Sequence, residues 1–296
     1  MRILIGVDGS EQGYQALAQA VSLMSPEKDE LALCYSPPGG TSTALVDAVW
    51  EKAMPLVPPP ARARVQTLLG TRPPHEELLA VADEWRADLI VVGARGLGPV
   101  KRLMLGSVSA KVARGAKIPV LVARDAKARP VSASWNVLVA VESRDTGLKV
   151  APVISALHWP TSSKGRLMAV IDAMFVGEIP DWLAPQVRSA ETQAMADAWM
   201  REHEAEREAK RQELLELAKL LPPPFQNEPL IAEGHATEEI LKAIDREHAN
   251  LIVVGAADKN IWQRYVLGTT SDAVLVHAHC SVLVVRDDGH WHEGRA

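Results

Sequence analysis

The sequence predicts an α/β protein: two tandem, doubly wound, five-stranded parallel-sheet domains that pack as an internal dimer with a pseudo-two-fold axis. Two observations predict this fold. Segments of the first half recur in the same order in the second half. Within each half, short β-branched runs alternate with amphipathic helical patterns. Strands that alternate with helices form βαβ units with right-handed crossovers, and these build a parallel sheet.

The repeat consists of three ordered blocks of similar sequence. The matching pairs are residues 106–124 with 268–286, 88–94 with 250–256, and 3–8 with 137–142. Residues 125–134 between the halves are small and polar, include a proline and lack periodicity, which is typical of a linker. The predicted organisation is therefore a first domain at 1–124, a linker at 125–134, a second domain at 135–287 and a tail at 288–296.

The predicted strands lie near 2–8, 31–35, 65–70, 88–93 and 119–123, and near 136–142, 166–172, 228–233, 250–255 and 281–286. Residues 89–92 and 251–254 are apolar without alternation, as in a parallel strand buried on both faces. Helices are predicted over 76–86 and 237–248. We expect the two fifth strands, 120–123 and 282–285, to pair, because pairing covers two sheet edges at once.

Composition limits the classes of partner and compartment. The chain has 296 residues and a net charge of −5 with interspersed signs, which argues against nucleic acid as a partner. No apolar stretch approaches the roughly 20 residues that span a bilayer, and the apolar N-terminal run is too short for a signal peptide. Both cysteines, Cys34 and Cys280, lie in apolar runs, which favours a reducing compartment. The expectation is a cytoplasmic protein without a membrane partner.

A glycine-rich segment follows the fourth predicted strand. Gly93 and Gly96 allow a sharp turn. After nine intervening residues, Gly106 and Ser107 open a helix, where unpaired N–H groups and the helix dipole favour an anion. Ser107 and Ser109 are expected to add hydroxyl donors. The alternative is that the glycines only form turns and Ser107 only caps the helix. Because the pattern falls at the crevice where doubly wound sheets bind ligands, we favour phosphate binding.

This pattern, Gly-x-x-Gly-x₉-Gly-Ser after a D-L-I-V-V-G strand, resembles the ATP-binding subgroup of the universal stress protein family. The Val-Asp-Gly-Ser at 7–10 and the Ile-Pro-Val-Leu-Val at 118–122 resemble it too. The likeness covers both halves, as in a tandem universal stress protein. It implies ATP, with Mg²⁺ as a possible companion ion, at a site formed by Asp8, Tyr35, Gly93, Arg95, Gly96, Gly106, Ser107, Val108 and Ser109.

The resemblance also implies roles for these residues. Asp8 is expected beside the ribose and phosphates, and Tyr35 is expected to contact adenine. From the residues alone, two interpretations of Asp8 stay open: a bridging Mg²⁺, or a hydrogen bond to the turn at 9–10 that caps the first helix.

The second half is expected to lack ATP. Asp258 stands where the first half has Gly96, and Glu142 replaces Asp8. Arg144, aligned with Ser10, is expected to pair with one of these carboxylates and close the pocket; alternatively, it pairs with a phosphate and rescues the site.

The second half also contains an insertion, with one helix predicted over 190–221. Its middle, 201–213, is polar all round and includes a Glu206–Lys210 pair, whereas its ends carry apolar residues. We favour a partly solvated helix anchored at both ends. The alternative is an arm that recruits a protein partner or a second chain, so that a monomeric pseudo-dimer and a dimer of tandem chains both stay open.

Histidines near the C-terminus suggest a metal site at first. His277, His279 and Cys280 fall at a helix-to-strand turn without metal-ligand spacing, which favours a structural role. His290 and His292 lie in the polar tail.

The expected function is that of a regulatory ATP-binding protein of the stress response, with slow hydrolysis at most, because no residue is an obvious general base. One alternative is an ATP-dependent enzyme on the same fold, either a slow ATPase or an adenylating enzyme. The usual Ser-Gly-Gly-x-Asp-Ser or His-x-Gly-His motif of such enzymes does not follow the first strand. The other alternative is a scaffold whose sites are relics.

Overall fold

The computed structural model describes residues 1–37, 42–95, 105–124, 134–171, 190–256 and 267–286. The first half contains β1 Arg2–Gly6, α1 Glu11–Ser22, β2 Glu30–Tyr35, α2 Thr43–Ala53, β3 Val65–Leu69, α3 Pro74–Glu84, β4 Leu89–Gly93, α4 Ser107–Gly115 and β5 Val120–Ala123. The second half contains β6 Asn136–Ala140, α5 Arg144–Ala156, β7 Lys164–Ile171, α6 Ala190–Ala218, β8 Leu230–Glu233, α7 Ala236–Arg246, β9 Leu251–Gly255, α8 Thr269–His277 and β10 Ser281–Val285.

All strands belong to one ten-stranded sheet with the order β3-β2-β1-β4-β5-β10-β9-β6-β7-β8. Pairing is parallel within each half, and β5 pairs with β10 antiparallel, with Leu121 opposite Leu283. The predicted fold class is therefore confirmed, including the pairing of the two fifth strands. In each half the strand order reverses beside the first strand, β1 or β6, and this reversal opens a crevice at the carboxyl ends of the strands.

Alternate side chains of each strand enter two core layers, one on each face of the sheet. In β1, Ile3 and Ile5 pack with the buried residues of α1, whereas Leu4 packs on the other face with those of α3 and α4. The same division holds in β2, where Leu33 and Tyr35 lie in the first layer and Cys34 in the second. The α3–α4 face carries the crevice of the first half.

Two arginines join the halves reciprocally. The guanidinium of Arg124, just after β5, donates to carbonyls at the C-terminal end of α8, including that of Ala278 at 2.6 Å. The guanidinium of Arg286, just after β10, donates to carbonyls at the end of α4, including that of Arg114 at 2.8 Å. Cations at helix C-termini satisfy orphan carbonyls and oppose the helix dipole. Each half therefore caps the last helix of the other.

Further polar contacts cross the same junction. Arg114 of α4 forms a bidentate pair with Asp272 of α8, at 2.7 and 3.1 Å. The buried hydroxyl of Ser281 donates to the side-chain oxygen of Gln19 at 2.8 Å. The indole of Trp135, which is 1% exposed, donates to the hydroxyl of Ser22 at 3.2 Å. The two buried contacts of Ser281 and Trp135, together with the exposed Arg114–Asp272 pair and the shared sheet, fix one half against the other.

The inserted helix α6 ends at Ala218, three residues before the predicted end. Its last turns are anchored, because Leu214 and Leu217 are at most 2% exposed. The predicted Glu206–Lys210 pair is not found among the described residues. Lys210 turns toward the domain instead, with Nζ 3.1 Å from a carboxylate oxygen of Glu213 and 3.4 Å from the backbone carbonyl of Glu142. Within the described ranges, neither α6 nor any other helix is long and apolar enough to cross a membrane.

The middle of α6 should exchange its amide hydrogens faster than the core. Most side chains in 201–213 are exposed, so few buried contacts oppose local opening of these turns. Hydrogen exchange followed by mass spectrometry should show peptides from this segment deuterating well before those of β9. Protection equal to that of β9 would mean that a partner or a second chain covers the helix.

Candidate functional site

A cavity of about 320 Å³ lies in the first half at the carboxyl ends of β1, β2 and β4. Its walls come from these strand ends and from the first residues of α3 and α4. It brings together these sequence-predicted residues: Asp8, Tyr35, Gly93, Arg95, Gly106, Ser107, Val108 and Ser109. Gly96, the ninth predicted residue, lies outside the described residues.

The N-terminus of α4 closes one side of this cavity. Gly106 is its N-cap, and no side chain caps the helix there. The N–H groups of the first helical turn have no partner within their own helix, and none is found for Ser107 or Val108 elsewhere in the described residues. The positive end of the helix dipole therefore faces the cavity with free donors, an arrangement that binds anions.

The two predicted hydroxyl donors differ in availability. Ser107 is exposed as the first residue of α4. Ser109 is 2% exposed, and its hydroxyl is 2.9 Å from the carbonyl of Ala94 and 3.0 Å from that of Gly106. The expectation that Ser109 donates to a ligand is therefore not met, because a hydroxyl has one proton. Ser109 holds the loop closed, together with the 2.7 Å bond from the Gly106 N–H to the Ala94 carbonyl.

Asp8 organises the start of α1. One of its carboxylate oxygens accepts from the N–H of Ser10 at 3.0 Å and from its hydroxyl at 2.5 Å. The hydroxyl oxygen of Ser10 in turn accepts from the N–H of Gly13 at 3.0 Å. A Cβ at Gly13 would lie 2.7 Å from that Asp8 oxygen, so glycine makes room for the carboxylate. Of the two interpretations of Asp8, the structure thus contains the turn-capping one.

The fit to Mg²⁺ is limited to one protein ligand. The second oxygen of Asp8 has no hydrogen-bond partner among the described residues. Mg²⁺ is commonly held by one or two carboxylates together with substrate phosphates and water. The part of the chain that the structure describes has no group of three or more His, Cys, Asp or Glu side chains that could hold a metal, the His277–Cys280 turn included. A metal here would therefore depend on a bound nucleotide.

Tyr35 presents its ring to the core instead of the cavity. The ring packs edge-on against Trp50, with centroids 6.2 Å apart, and the residue is 3% exposed. Tyr35 borders the cavity, but the expected contact of its ring with adenine would require the ring to leave its packing against Trp50. Cys34, which the sequence reasoning missed, points to the opposite face and lines the cavity beside Leu78. The strand alternation is the signal that would have identified Cys34.

The thiol of Cys34 is unreactive in this position. Burial, assisted by the negative charge of Glu77, raises the pKa of its thiol to about 12. A thiol with this pKa is protonated at neutral pH and is a poor nucleophile. Cys34 and Leu78 therefore form part of an apolar wall.

The second half contains an equivalent cavity of about 560 Å³ with different walls. Ser143 caps α5 by accepting from the N–H of Thr146 at 3.3 Å, as Ser10 caps α1 through Gly13 in the first half. Thr146 therefore takes the place of Gly13, and its methyl group covers the position where Gly255 would carry a Cβ.

The expected alignment of Arg144 with Ser10 is corrected by this shift. A gapless alignment pairs Arg144 with Ser10, but Ser143 is the capping residue, and Arg144 is the exposed first residue of α5. Among the described residues it makes no ion pair with Glu142. Asp258, the other residue of the predicted closure, lies outside the described residues.

The fold and the site define a doubly wound α/β protein in which each half has a cavity bordered by the N-terminus of a helix, α4 or α8. The family model of the universal stress protein family matches residues 1–124 and 180–286, well over half of the chain. The chain belongs to the universal stress protein family.

Two relatives from this family each match about two fifths of the chain. Universal stress protein YxiE of Bacillus subtilis (strain 168) is 30% identical over 150 residues, which cover 42% of this chain and 98% of that protein. Universal stress protein Rv1636 of Mycobacterium tuberculosis (strain ATCC 25618 / H37Rv) is 29% identical over 136 residues, covering 40% and 93%.

Solved structures match the two-domain arrangement. A universal stress protein of Archaeoglobus fulgidus DSM 4304 is 19% identical with a TM-score of 0.54, covering 96% of both chains. Protein PA1789 of Pseudomonas aeruginosa PAO1, functionally unknown, is 16% identical with a TM-score of 0.59, covering 97% of this chain and 92% of that one. A universal stress protein in complex with cAMP is 28% identical over 41% of this chain and 94% of its own, with a TM-score of 0.35.

Proposed function

We propose that this chain is a regulatory stress-response protein that binds ATP in its first-half cavity and hydrolyses it slowly or not at all. The observation that carries the proposal is the uncapped N-terminus of α4, which faces a cavity at the point where the strand order reverses. Helix N-termini at such points are suited to phosphate groups. Membership of the universal stress protein family agrees with the stress-response part.

The walls of the cavity suit the rest of an adenine nucleotide. The N–H groups of Ser107 and Val108 and the Ser107 hydroxyl would take the phosphates. Cys34 and Leu78 offer an apolar surface for a base. Asp8 lies at the end of β1 between these regions, where its second carboxylate oxygen would accept from a ribose hydroxyl or hold an Mg²⁺ bound to phosphate.

The side chains of the first-half cavity support ATP binding with little or no hydrolysis. The thiol of Cys34 is protonated at neutral pH. One carboxylate oxygen of Asp8 already accepts two hydrogen bonds from Ser10, so that oxygen is engaged in capping the start of α1. Among the described residues of the cavity no histidine or lysine is present to move a proton. A protein with these side chains in its cavity would change conformation when ATP binds, and a partner would respond to that conformation.

We place ATP in the first half only, because the second cavity differs at its floor. Thr146 brings a side chain to the position that Gly13 leaves open in the first half. Glu142 replaces Asp8 and is exposed. Asp258, aligned with Gly96, adds a like charge near the phosphate loop in the sequence. The larger second cavity would therefore be left for another ligand.

Calorimetric titration of the full chain should give one ATP per chain and locate it. Ser107→Asp places a carboxylate at the first position of α4, where it favours the helix but repels phosphate. We expect it to weaken ATP binding by about 100-fold, the loss of roughly two charge-assisted hydrogen bonds plus repulsion. The matched variant is Thr269→Asp, the same change at the first position of α8, and it should leave ATP binding unchanged.

Each other outcome has a definite meaning. Two ATP per chain, with Thr269→Asp removing one, would refute the asymmetry. No binding by the wild-type chain would refute nucleotide binding and leave a scaffold with relic sites. Parallel titrations with ADP and cAMP test the choice of nucleotide, and equal or tighter binding of cAMP would replace ATP as the ligand. Phosphate release during incubation with ATP, faster than one turnover per hour, would refute binding with little turnover.

A further inference from the structure

A third cavity lies between the two halves, separate from the strand-end cavities. Its volume is about 800 Å³, within the range of small-molecule sites. The first half contributes α1 and the residues after β4 and β5, and the second half contributes the end of α7 and the turn before β10. We call it the inter-half cavity. It exists only because the halves are joined along β5 and β10.

Two guanidinium groups border the inter-half cavity. Arg95 follows β4 and Arg124 follows β5. Among the described residues neither forms an ion pair, and the Nε of each is buried without a hydrogen-bond partner. Burial lowers the pKa of Arg124, and the positive charge of Arg95 lowers it further, so the two groups repel each other. The terminal nitrogens of Arg124 donate to carbonyls at the end of α8, but carbonyls do not neutralise its charge. Two neighbouring positive charges without a counter-ion are costly, and an anion between them would remove that repulsion.

The remaining walls suit a small polar molecule. The uncharged polar residues Gln12, Gln15 and Asn250 line the cavity. The acids at its border, Glu11 and Asp245, are exposed, so water and salt screen their repulsion of an anion. The bordering histidines, His248 and His279, are exposed too.

We infer that the inter-half cavity binds a small organic anion, a carboxylate or a phosphate ester, between Arg95 and Arg124. The bidentate geometry of guanidinium suits both groups. Arg95 also borders the first-half cavity, so an anion held by its side chain changes the charge and the side-chain position that Arg95 presents to that cavity. Binding at the two cavities is therefore linked, and this second step rests on the proposed function.

Calorimetry on the nucleotide-free full chain tests the site with two probes, succinate and inorganic phosphate. The wild-type chain should bind at least one of them saturably. Arg95→Gln removes one guanidinium, and Gln12→Glu adds a carboxylate to the cavity wall without changing its shape. Each should weaken binding by about tenfold or more. Arg246→Gln, an exposed arginine on α7 outside the cavity, is the matched control and should bind like wild type.

Ser107→Asp separates this site from the first-half cavity. Because it repels anions only at α4, it should leave binding of the probe unchanged. Loss of the probe in Ser107→Asp but not in Gln12→Glu would place the anion at α4 and overturn the inference. Absence of saturable binding of both probes would overturn it as well. Whether succinate or phosphate binds more tightly identifies the head group, and this result is independent of whether the chain binds ATP.

Discussion

Replacing Gly165 by alanine should lower the free energy of unfolding by about 3 kcal/mol, through overpacking of the core. Gly165 lies in β7, and a Cβ there would overlap the ring of Phe225. That ring cannot withdraw, because it is fully buried and packs edge-on against Trp159 with centroids 4.9 Å apart. The backbone is also fixed, since the Gly165 carbonyl accepts from the side chain of Asn227 at 2.8 Å. Urea denaturation followed by circular dichroism measures the change.

Two further variants distinguish overpacking from a general effect of removing glycine. Gly115→Ala at the end of α4 would meet only the two terminal methyl groups of Leu79, which can move aside, so the free energy of unfolding should stay within about 0.5 kcal/mol of wild type. Phe225→Leu should partly rescue Gly165→Ala, so that the double variant loses less than the sum of the single losses. Strictly additive losses would show that the alanine does not act through this ring.

Arg124→Met should destabilise the chain by about 2–4 kcal/mol, because the carbonyls at the end of α8 lose a charged donor in a partly buried place. Arg286→Met should have a similar effect through α4. Methionine keeps much of the side-chain volume, so the change tests hydrogen bonding and charge more than packing. Thermal and urea unfolding of the full chain give both values.

The control for these arginines is Arg246→Met. The Arg246 side chain is 60% exposed and pairs only with its neighbour Glu247, so the loss should be below about 0.5 kcal/mol. A loss of that small size for Arg124→Met would mean that water replaces the guanidinium and that the reciprocal caps contribute little. Unequal losses for Arg124→Met and Arg286→Met would show that the pseudo-symmetric ends of the halves have diverged in energy.

The local pattern of apolar and polar residues predicted the fold well, because it depends directly on which residues are buried. The runs at 89–92 and 251–254 are apolar at every position, and both form central strands with neighbours on each side. The two fifth strands would each be an exposed sheet edge on their own, and this was enough to predict that they pair with each other. The glycine and serine spacing likewise predicted the cavity of the first half, because turns and helix starts depend on short stretches of chain.

The errors concern side chains whose environment depends on distant residues. Tyr35 ends a strand at the crevice, but whether its ring faces the cavity depends on Trp50 of α2. Ser109 follows a helix start, but its hydroxyl is taken by Ala94 across the loop. Arg144 is different, because a local signal was present: Ser143 is a preferred N-cap residue and arginine is not. A single-residue shift at that turn is invisible to a gapless alignment.

Because both halves of the sheet belong to one chain, joined at β5 and β10, the two cavities can evolve independently. In a dimer of identical subunits, one mutation alters both sites at once. Here the two halves are encoded separately and always meet each other, because one chain holds both at high effective concentration. Thr146 can therefore change one cavity while Gly13 preserves the other. The strands of the two halves run in opposite directions, so the two cavities lie at opposite ends of the strands. Selection can fit each cavity to a different task.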